Sequence, residues 1–397
     1  MSQVKSVLIA GAGIAGPALA FWLGKLGLNA TIVERAPALR TGGYAVDFRG
    51  TAIDVLNRMG LLEQVRACDT HMGDMIYVDR NDRQMAVLPA AAMSGEIEII
   101  RGDLVGILHD ATKAGTEYIF GDAIAFVEDK PDGVEVIFES GIKRQFDLVV
   151  GADGLRSSLR RMAFGPAAAQ IQDLGLYASI FSVPNTLGLD YSGRLFSAPG
   201  SLAGVYSARQ NREARAMFFF NSPEPLGNLR DVAAQKAAIR HRYQGQGWHV
   251  PQLLKHMDNA ADFYFDSVSL VSLPKWSKGR IGLLGDAACC ASPLSGMGTG
   301  LAVVGAYILA HELAACGGDF ASAFANYQAR MQPFATASQK LAMSARGGFV
   351  PNSSFGIALR NLMLKVLPLM PGNVIMKPVQ DAAETVTLSP DGWAEAA

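Results

Sequence analysis

From Ser6 to Gly24 the chain reads SVLIAGAGIAGPALAFWLG, nineteen residues without a charge. By hydropathy alone this is a membrane span or a signal sequence. The glycines break that reading. Val7 to Ala10 is a short apolar run suited to a buried parallel strand. Gly11, Gly13 and Gly16 follow as G-x-G-x-x-G, a largely buried helix is expected to about Gly27, and a second strand, Asn29 to Val33, ends in Glu34 and Arg35. Strand-then-helix patterning returns in FDLVVGADGLRSSLR (Phe146 to Arg160) and in GRIGLLGDAACCASPLSGMGTGLAVVGA (Gly279 to Ala306). In the latter, a strand at Ile281 to Leu284 leads through a Gly-rich loop to a helix near Thr299.

The stretches between these units alternate with period two. Ala123 to Glu139 predicts a hairpin around Lys130-Pro131-Asp132-Gly133, part of a three-stranded meander, and Met75 to Leu88 predicts another hairpin. Strands are expected at Leu176 to Asn185, Arg194 to Arg209, Arg215 to Phe220 and Phe263 to Leu273, with a helix from Leu229 to Tyr243. Of Met217 to Phe220, one alternating face at most can line a cavity. Asp319 to Ala345 predicts a long helix whose Phe320, Phe324, Tyr327 and Met331 dock it on the core. A last apolar stretch, Phe355 to Met376, contains Leu367, Leu369 and Met370 around Pro368. It suits a cover over the site entrance, a partner contact or a membrane contact; its prolines and Lys365 oppose a bilayer span, and no integral membrane segment is expected.

The first motif carries chemistry. Gly11 permits a tight turn, Gly13 lets a pyrophosphate approach the backbone, and Gly16 lets the helix pack close to the sheet. The helix opening at Ala15 offers free N–H groups and a positive dipole end to phosphates. Glu34, eighteen residues after Gly16, can accept hydrogen bonds from ribose hydroxyls. An acid there favours a free 2′-hydroxyl, as in FAD or NAD, and Arg35 adjoins the same nucleotide. In the second motif, Asp153 and Arg160 fit either an indirect contact to nucleotide or substrate, or a purely structural role in the turn. In the third, Asp286 at a strand end can hold a ribitol hydroxyl. The amides at Gly298 and Thr299 can stabilise charge on a flavin's N1–C2=O edge.

Composition narrows the classes. The 397 residues carry 35 basic and 36 acidic side chains, a net charge of -1, without a basic run, which excludes a nucleic-acid surface. Four cysteines without a CxxC pair make a disulfide scaffold unexpected and a reducing cytoplasm the default, with Cys289 and Cys290 packed and reduced. His71, His109, His311 and the other histidines show no metal spacing.

With three motifs in this order, the chain resembles the class A FAD-dependent aromatic monooxygenases of the para-hydroxybenzoate hydroxylase class, and within it the tetracycline-inactivating branch. The resemblance implies that Arg40, Asp47, Arg101 (in IIRGDL) and Asp286 line the cofactors. It implies FAD as resident cofactor and NAD(P)H as hydride donor. Oxygen transfer through a flavin C4a-hydroperoxide to an aromatic or polycyclic phenol or enol follows from it, with antibiotic modification as one role. Departures are present: Cys289 stands at the family's histidine, Ser292 at a proline, Gly300 at an asparagine and Gly305 at an aspartate.

The expected fold is α/β, with a discontinuous Rossmann-like FAD-binding domain (1–73, 97–175 and 274–345) containing a mostly parallel sheet and the meander. A second β-sheet substrate domain takes 74–96 and 176–273, and a C-terminal helical segment takes 346–397. A cytoplasmic monomer is expected, with small aromatic substrate, O2 and NAD(P)H as its partners. Two rivals remain: a flavin reductase or dehydrogenase without oxygen transfer, and a non-catalytic ligand-binding flavoprotein.

Overall fold

The structure, a computed structural model, describes residues 4–40, 42–90, 95–227, 231–367 and 372–388. Leu229, Pro368, Leu369 and Met370, named above, lie outside them.

The charge-free stretch at the start becomes strand β1 (Ser6–Ala10) and helix α1 (Ala15–Lys25), both in the interior. β1 is central in a six-stranded sheet ordered β17 (Ser277–Lys278), β18 (Ile281–Leu283), β11 (Leu148–Gly151), β1, β2 (Asn29–Glu34), β7 (Thr116–Phe120). All of its pairings are parallel except the terminal β17–β18 pair. Both faces are covered, which is why these strands read as apolar runs. Val7 and Ile9 face α1 and α9 (Gly298–Ala315). Leu8 and Ala10 face the meander of β8 (Ile124–Lys130), β9 (Gly133–Phe138) and β10 (Lys143–Phe146). α9 is long and apolar enough to cross a membrane, but it is buried here as the core helix between α1 and α10 (Phe320–Phe349).

The second sheet has seven strands, ordered β16 (Tyr264–Ser272), β12 (Gln170–Val183), β15 (Glu213–Asn221), β14 (Ser201–Ala208), β13 (Gly193–Ala198), β4 (Met75–Val78), β5 (Gln84–Leu88). The run expected as one strand from Arg194 to Arg209 is two. Pro199 lacks an N–H to continue the ladder and Gly200 adopts φ +70°, so the chain turns back on itself. Period two divides the sheet's faces. Phe218 and Phe220 pack with Tyr177, Ile239 and Tyr243 against α6 (Val232–Tyr243) and α7 (Val250–Asp258). Met217 and Phe219 lie on the opposite face with Ile180, Leu195 and Tyr206, toward Tyr44, Leu294 and Phe349.

Smaller elements join the layers. β3 (Ala45–Phe48) pairs antiparallel with β6 (Ile97–Ile100), and α4 (Arg101–Thr112) starts directly after β6. α2 (Thr51–Met59) and α3 (Leu62–Arg66) pack beside them, and α5 (Ser158–Phe164) and α8 (Asp286–Cys289) follow the second and third motif strands. In the long helix α10, capped by Asp319, the expected stripe buries Phe324, Tyr327 and Met331, with Phe320 partly buried. The last apolar stretch forms α11 (Ser354–Val366), which has no buried residue, and α12 (Gly372–Ala383). Arg360 of α11 lies 3.8 Å over the Tyr77 ring.

Candidate active site

The glycine loop is shaped by contacts that forbid a Cβ. Gly11 holds φ +107°, and a Cβ there would lie 2.6 Å from the Ala152 carbonyl oxygen of the second motif. A Cβ on Gly16 would strike the Gly11 carbonyl oxygen. At Gly13 the nearest neighbour is different in kind: a Cβ would meet only the Arg101 guanidinium, at 3.3 Å. The loop therefore forms a wall facing a cation. α1 starts at Ile14 with no side-chain cap, so its first amides are left for a ligand. Glu34 closes the loop's edge. Its Oε2 accepts from the Ala12 N–H and its Oε1 from the Ala36 N–H, both at 2.9 Å, and a carboxylate oxygen retains capacity for a further donor.

The third motif meets the first at Gly285, whose Cβ would approach that of Ala15 to 3.2 Å. Gly285 holds φ +59° and delivers Asp286 into the cleft. Asp286 reaches solvent through the cleft but is otherwise enclosed by protein. This confinement raises its carboxyl pKa, partly offset by a hydrogen bond from Cys290 and the Arg101 charge. α9 begins at Met297, again without a side-chain cap, leaving the amides around Gly298 and Thr299 uncapped. Asp47 accepts from the Gly95 N–H at 2.7 Å, and its other oxygen lies 3.6 Å from where a Gly296 Cβ would be. Two uncapped helix starts, a guanidinium and three carboxylates thus border one cleft, a set of donors and acceptors that fits a dinucleotide with a ribityl chain.

The raised Asp286 gives a pH prediction. A carboxyl with an elevated folded pKa contributes stability below its ordinary range, and that contribution is lost as pH rises through the folded value. FAD-free Asp286→Asn should therefore melt above the FAD-free parent at neutral pH, the two converging as pH falls toward the ordinary aspartate range. Thermal melts across that range check this.

The remaining expected site residues have partners or surroundings of their own. Arg35 is exposed and paired with Glu139 at 2.9 Å on the meander. Arg40 is exposed, without an ion pair among the described residues. Asp153 caps α5, its Oδ2 accepting from the Ser158 and Leu159 N–H groups at 2.7 and 3.1 Å, while Oδ1 is buried without a partner. Arg160 is buried and donates to Leu155 O at 2.7 Å and Ala287 O at 2.8 Å, bracing the second motif against the third.

Some site residues carried no local signal. Tyr44 and Tyr264 stand with ring centroids 5.7 Å apart, and burial raises the Tyr44 phenol to about 12. Asp266 pairs with Arg156 at 2.6 Å. The alternation FYFDSVSL puts Tyr264 and Asp266 on one face, but only strand order reveals that this face meets Tyr44.

The departures from the resemblance have a packing cause. Cys289 and Cys290 are buried free thiols, and burial holds both well above the ordinary thiol range. The space beside Gly300 holds the Phe334 ring, 3.3 Å from a would-be Cβ. Beside Gly305 stand Leu284, Met331 and Tyr327, at 3.1, 3.5 and 3.6 Å. α10 thus occupies the room that larger side chains on α9 would need. Gly300→Asn should lower stability by about 1–3 kcal/mol, and Phe334→Leu should recover part of it, read in denaturant midpoints.

The cleft and its layers define a flavoprotein with a dinucleotide-binding βαβ unit. Residues 5–341 match the FAD binding domain family, and the chain belongs to it. It is 38% identical to a flavin-dependent monooxygenase of Legionella longbeachae over 354 residues, 88% of this chain and 91% of that protein. It is 44% identical to an uncharacterized protein of Mycobacterium tuberculosis over 370 residues, 91% of this chain and 100% of that one. The crystal structure of tetracycline destructase Tet(51) superposes with a TM-score of 0.88 at 36% identity, covering 98% of this chain and 99% of that chain. The chain is a FAD-dependent monooxygenase, an oxidoreductase that acts on a small molecule with O2.

Proposed function

We propose that the enzyme takes its electrons from NAD(P)H and hydroxylates a phenol- or enol-bearing aromatic or polycyclic molecule. The observation that carries this is the apolar sheet face of Ile180, Leu195, Met217 and Phe219, turned toward Tyr44 and Leu294 beside the cleft. Bound FAD supplies the two-electron exchange and the activation of O2. The chain's part is to bind, orient and exclude water.

In this reading the Gly11, Gly13, Ala15 and Gly16 backbone with the start of α1 holds the pyrophosphate, and Glu34 holds the adenosine ribose. Arg101, Asp47 and Asp286 hold the ribityl and ring portions, and the Gly298 and Thr299 amides the ring's pyrimidine edge. Asp153 acts indirectly, holding the second motif's turn beside the glycine loop by capping α5. Arg40, exposed at the outer rim, meets the reductant's phosphate. Tyr44, protonated at working pH, is a neutral donor beside the cleft, and the sheet shields the reacting carbon from water. The division into 1–73, 97–175 and 274–345 against 74–96 and 176–273, with 346–397 following, belongs to the same proposal. A tetracycline-like polycycle is the first substrate to try, because Tet(51) is a tetracycline destructase.

The test is anaerobic bleaching of the yellow protein by NADPH or NADH, with and without the polycycle, followed by admission of 18O2. Substrate-accelerated bleaching and one labelled oxygen in the product are expected. Bleaching without label in any product would replace this reading by a reductase.

A further inference from the structure

We propose that the chain has a second small-molecule site, taking an amphipathic organic anion of the aromatic-carboxylate type. It is an open cleft of about 920 Å³ between the end of β15, α6 and the segment joining α10 to α11. Its floor is apolar, formed by Phe220, Leu226 and Ala238, and its rim carries His241, Arg242 and Arg346. No carboxylate lines it among the described residues.

The two arginines are positioned by neutral groups. Arg242 donates to the Pro199 carbonyl at 2.7 Å, while its buried Nε has no acceptor. Arg346 donates through Nε to the Leu174 carbonyl at 2.6 Å, and its Nη2 lies 3.3 Å from a would-be Gly175 Cβ. Neither forms an ion pair among the described residues, so two positive charges line one apolar-floored cleft without a lining carboxylate to neutralise them. Backbone carbonyls fix the guanidinium planes and leave N–H groups for a carboxylate fork. The floor supplies the area to bury a ring.

This cleft is separate from the cofactor site. Phe220 belongs to the sheet face packed on α6 and α7, opposite the face that meets Tyr44. The inference stands on the cleft's own chemistry and is independent of the monooxygenase reading.

The test is calorimetric titration of the FAD-loaded full chain with 2-naphthoate, which lacks a phenol, at low and high salt. One saturable site is expected, weakened by salt and absent for the neutral 2-naphthamide. Arg242→Gln should weaken binding about tenfold, the loss of one charge-assisted hydrogen bond. Ala238→Trp, which leaves both charges in place and fills the floor, should abolish binding while flavin content stays unchanged. Equal binding by parent and both variants, or no binding at millimolar naphthoate, would overturn the proposal.

Discussion

Gly16→Val should give a chain that folds poorly and is purified colourless. Gly16 stands in the first turn of α1, packed against the glycine loop and the Ile9 side chain of β1. Its would-be Cβ strikes the Gly11 carbonyl oxygen and comes within 3.4 Å of the Ile9 side chain. The first of these is backbone, with no rotamer to give way, and Gly11 is itself pressed against Ala152. Relief therefore requires moving α1 off the sheet, which separates the helix start from the loop that faces Arg101. Overpacking a rigid core commonly costs 1–3 kcal/mol, and a clash against backbone belongs at or above the top of that range, about 3 kcal/mol. The measurements are the thermal midpoint and the flavin-to-protein ratio. A yellow variant with the parental midpoint would show that the spacing between β1 and α1 is not what the glycine protects.

Arg160→Met should be the next most damaging change. At 2% exposure the side chain is almost wholly enclosed, and its guanidinium bridges two carbonyls from different motifs, Leu155 and Ala287. Methionine keeps most of the volume and removes the charge, so the outcome weighs two effects. Burial of the guanidinium is unfavourable and lowers its pKa, with the neighbouring Asp153 charge acting in the opposite direction. Against that relief, the buried Ala287 carbonyl and the part-buried Leu155 carbonyl lose their donor, at about 1–3 kcal/mol for a buried acceptor and less for the other. The carbonyls outweigh the relief, and a net loss of about 2–4 kcal/mol is expected from denaturant midpoints. FAD affinity should fall as well, because Ala287 adjoins Asp286. A variant with parental stability and weakened FAD would instead assign Arg160 to nucleotide binding.

What could be read along the chain and what could not divide by range of interaction. The βαβ unit from Ser6 to Glu34 was legible because glycine spacing, a buried strand and an acid are all local. The meander was legible from Pro131-Asp132-Gly133, and α10 from its aromatic stripe. The hairpin at Pro199-Gly200 is masked along the chain although its turn residues are local, because apolar residues continue on both sides. Tyr44 and Tyr264 were beyond reach for a different reason. They lie in separate layers, and their meeting depends on β16 being an edge strand of the second sheet. Arg35 is the reverse case: it adjoins Glu34 along the chain, but it lies one residue past the end of β2 and its guanidinium pairs with Glu139 on the meander. The packing of Phe334 beside Gly300 is equally tertiary, since the ring arrives from a helix thirty-odd residues further on.

The order β18-β11-β1-β2-β7 has a consequence for how the protein is made. The parallel sheet is laid down from the middle outwards, and its strand β18 ends at Leu283, immediately before Asp286. A ribosome adding about 5–20 residues per second needs roughly 15–60 s to reach that point. Until then the first glycine loop has been synthesised without the strand and helix that complete its cradle, and β11, already paired with β1, has one side of its ladder waiting for β18. Non-local parallel pairing is slow in any case. Capture of FAD is therefore a late, post-nucleation event in biogenesis, and nascent chains stalled before residue 283 should emerge without flavin.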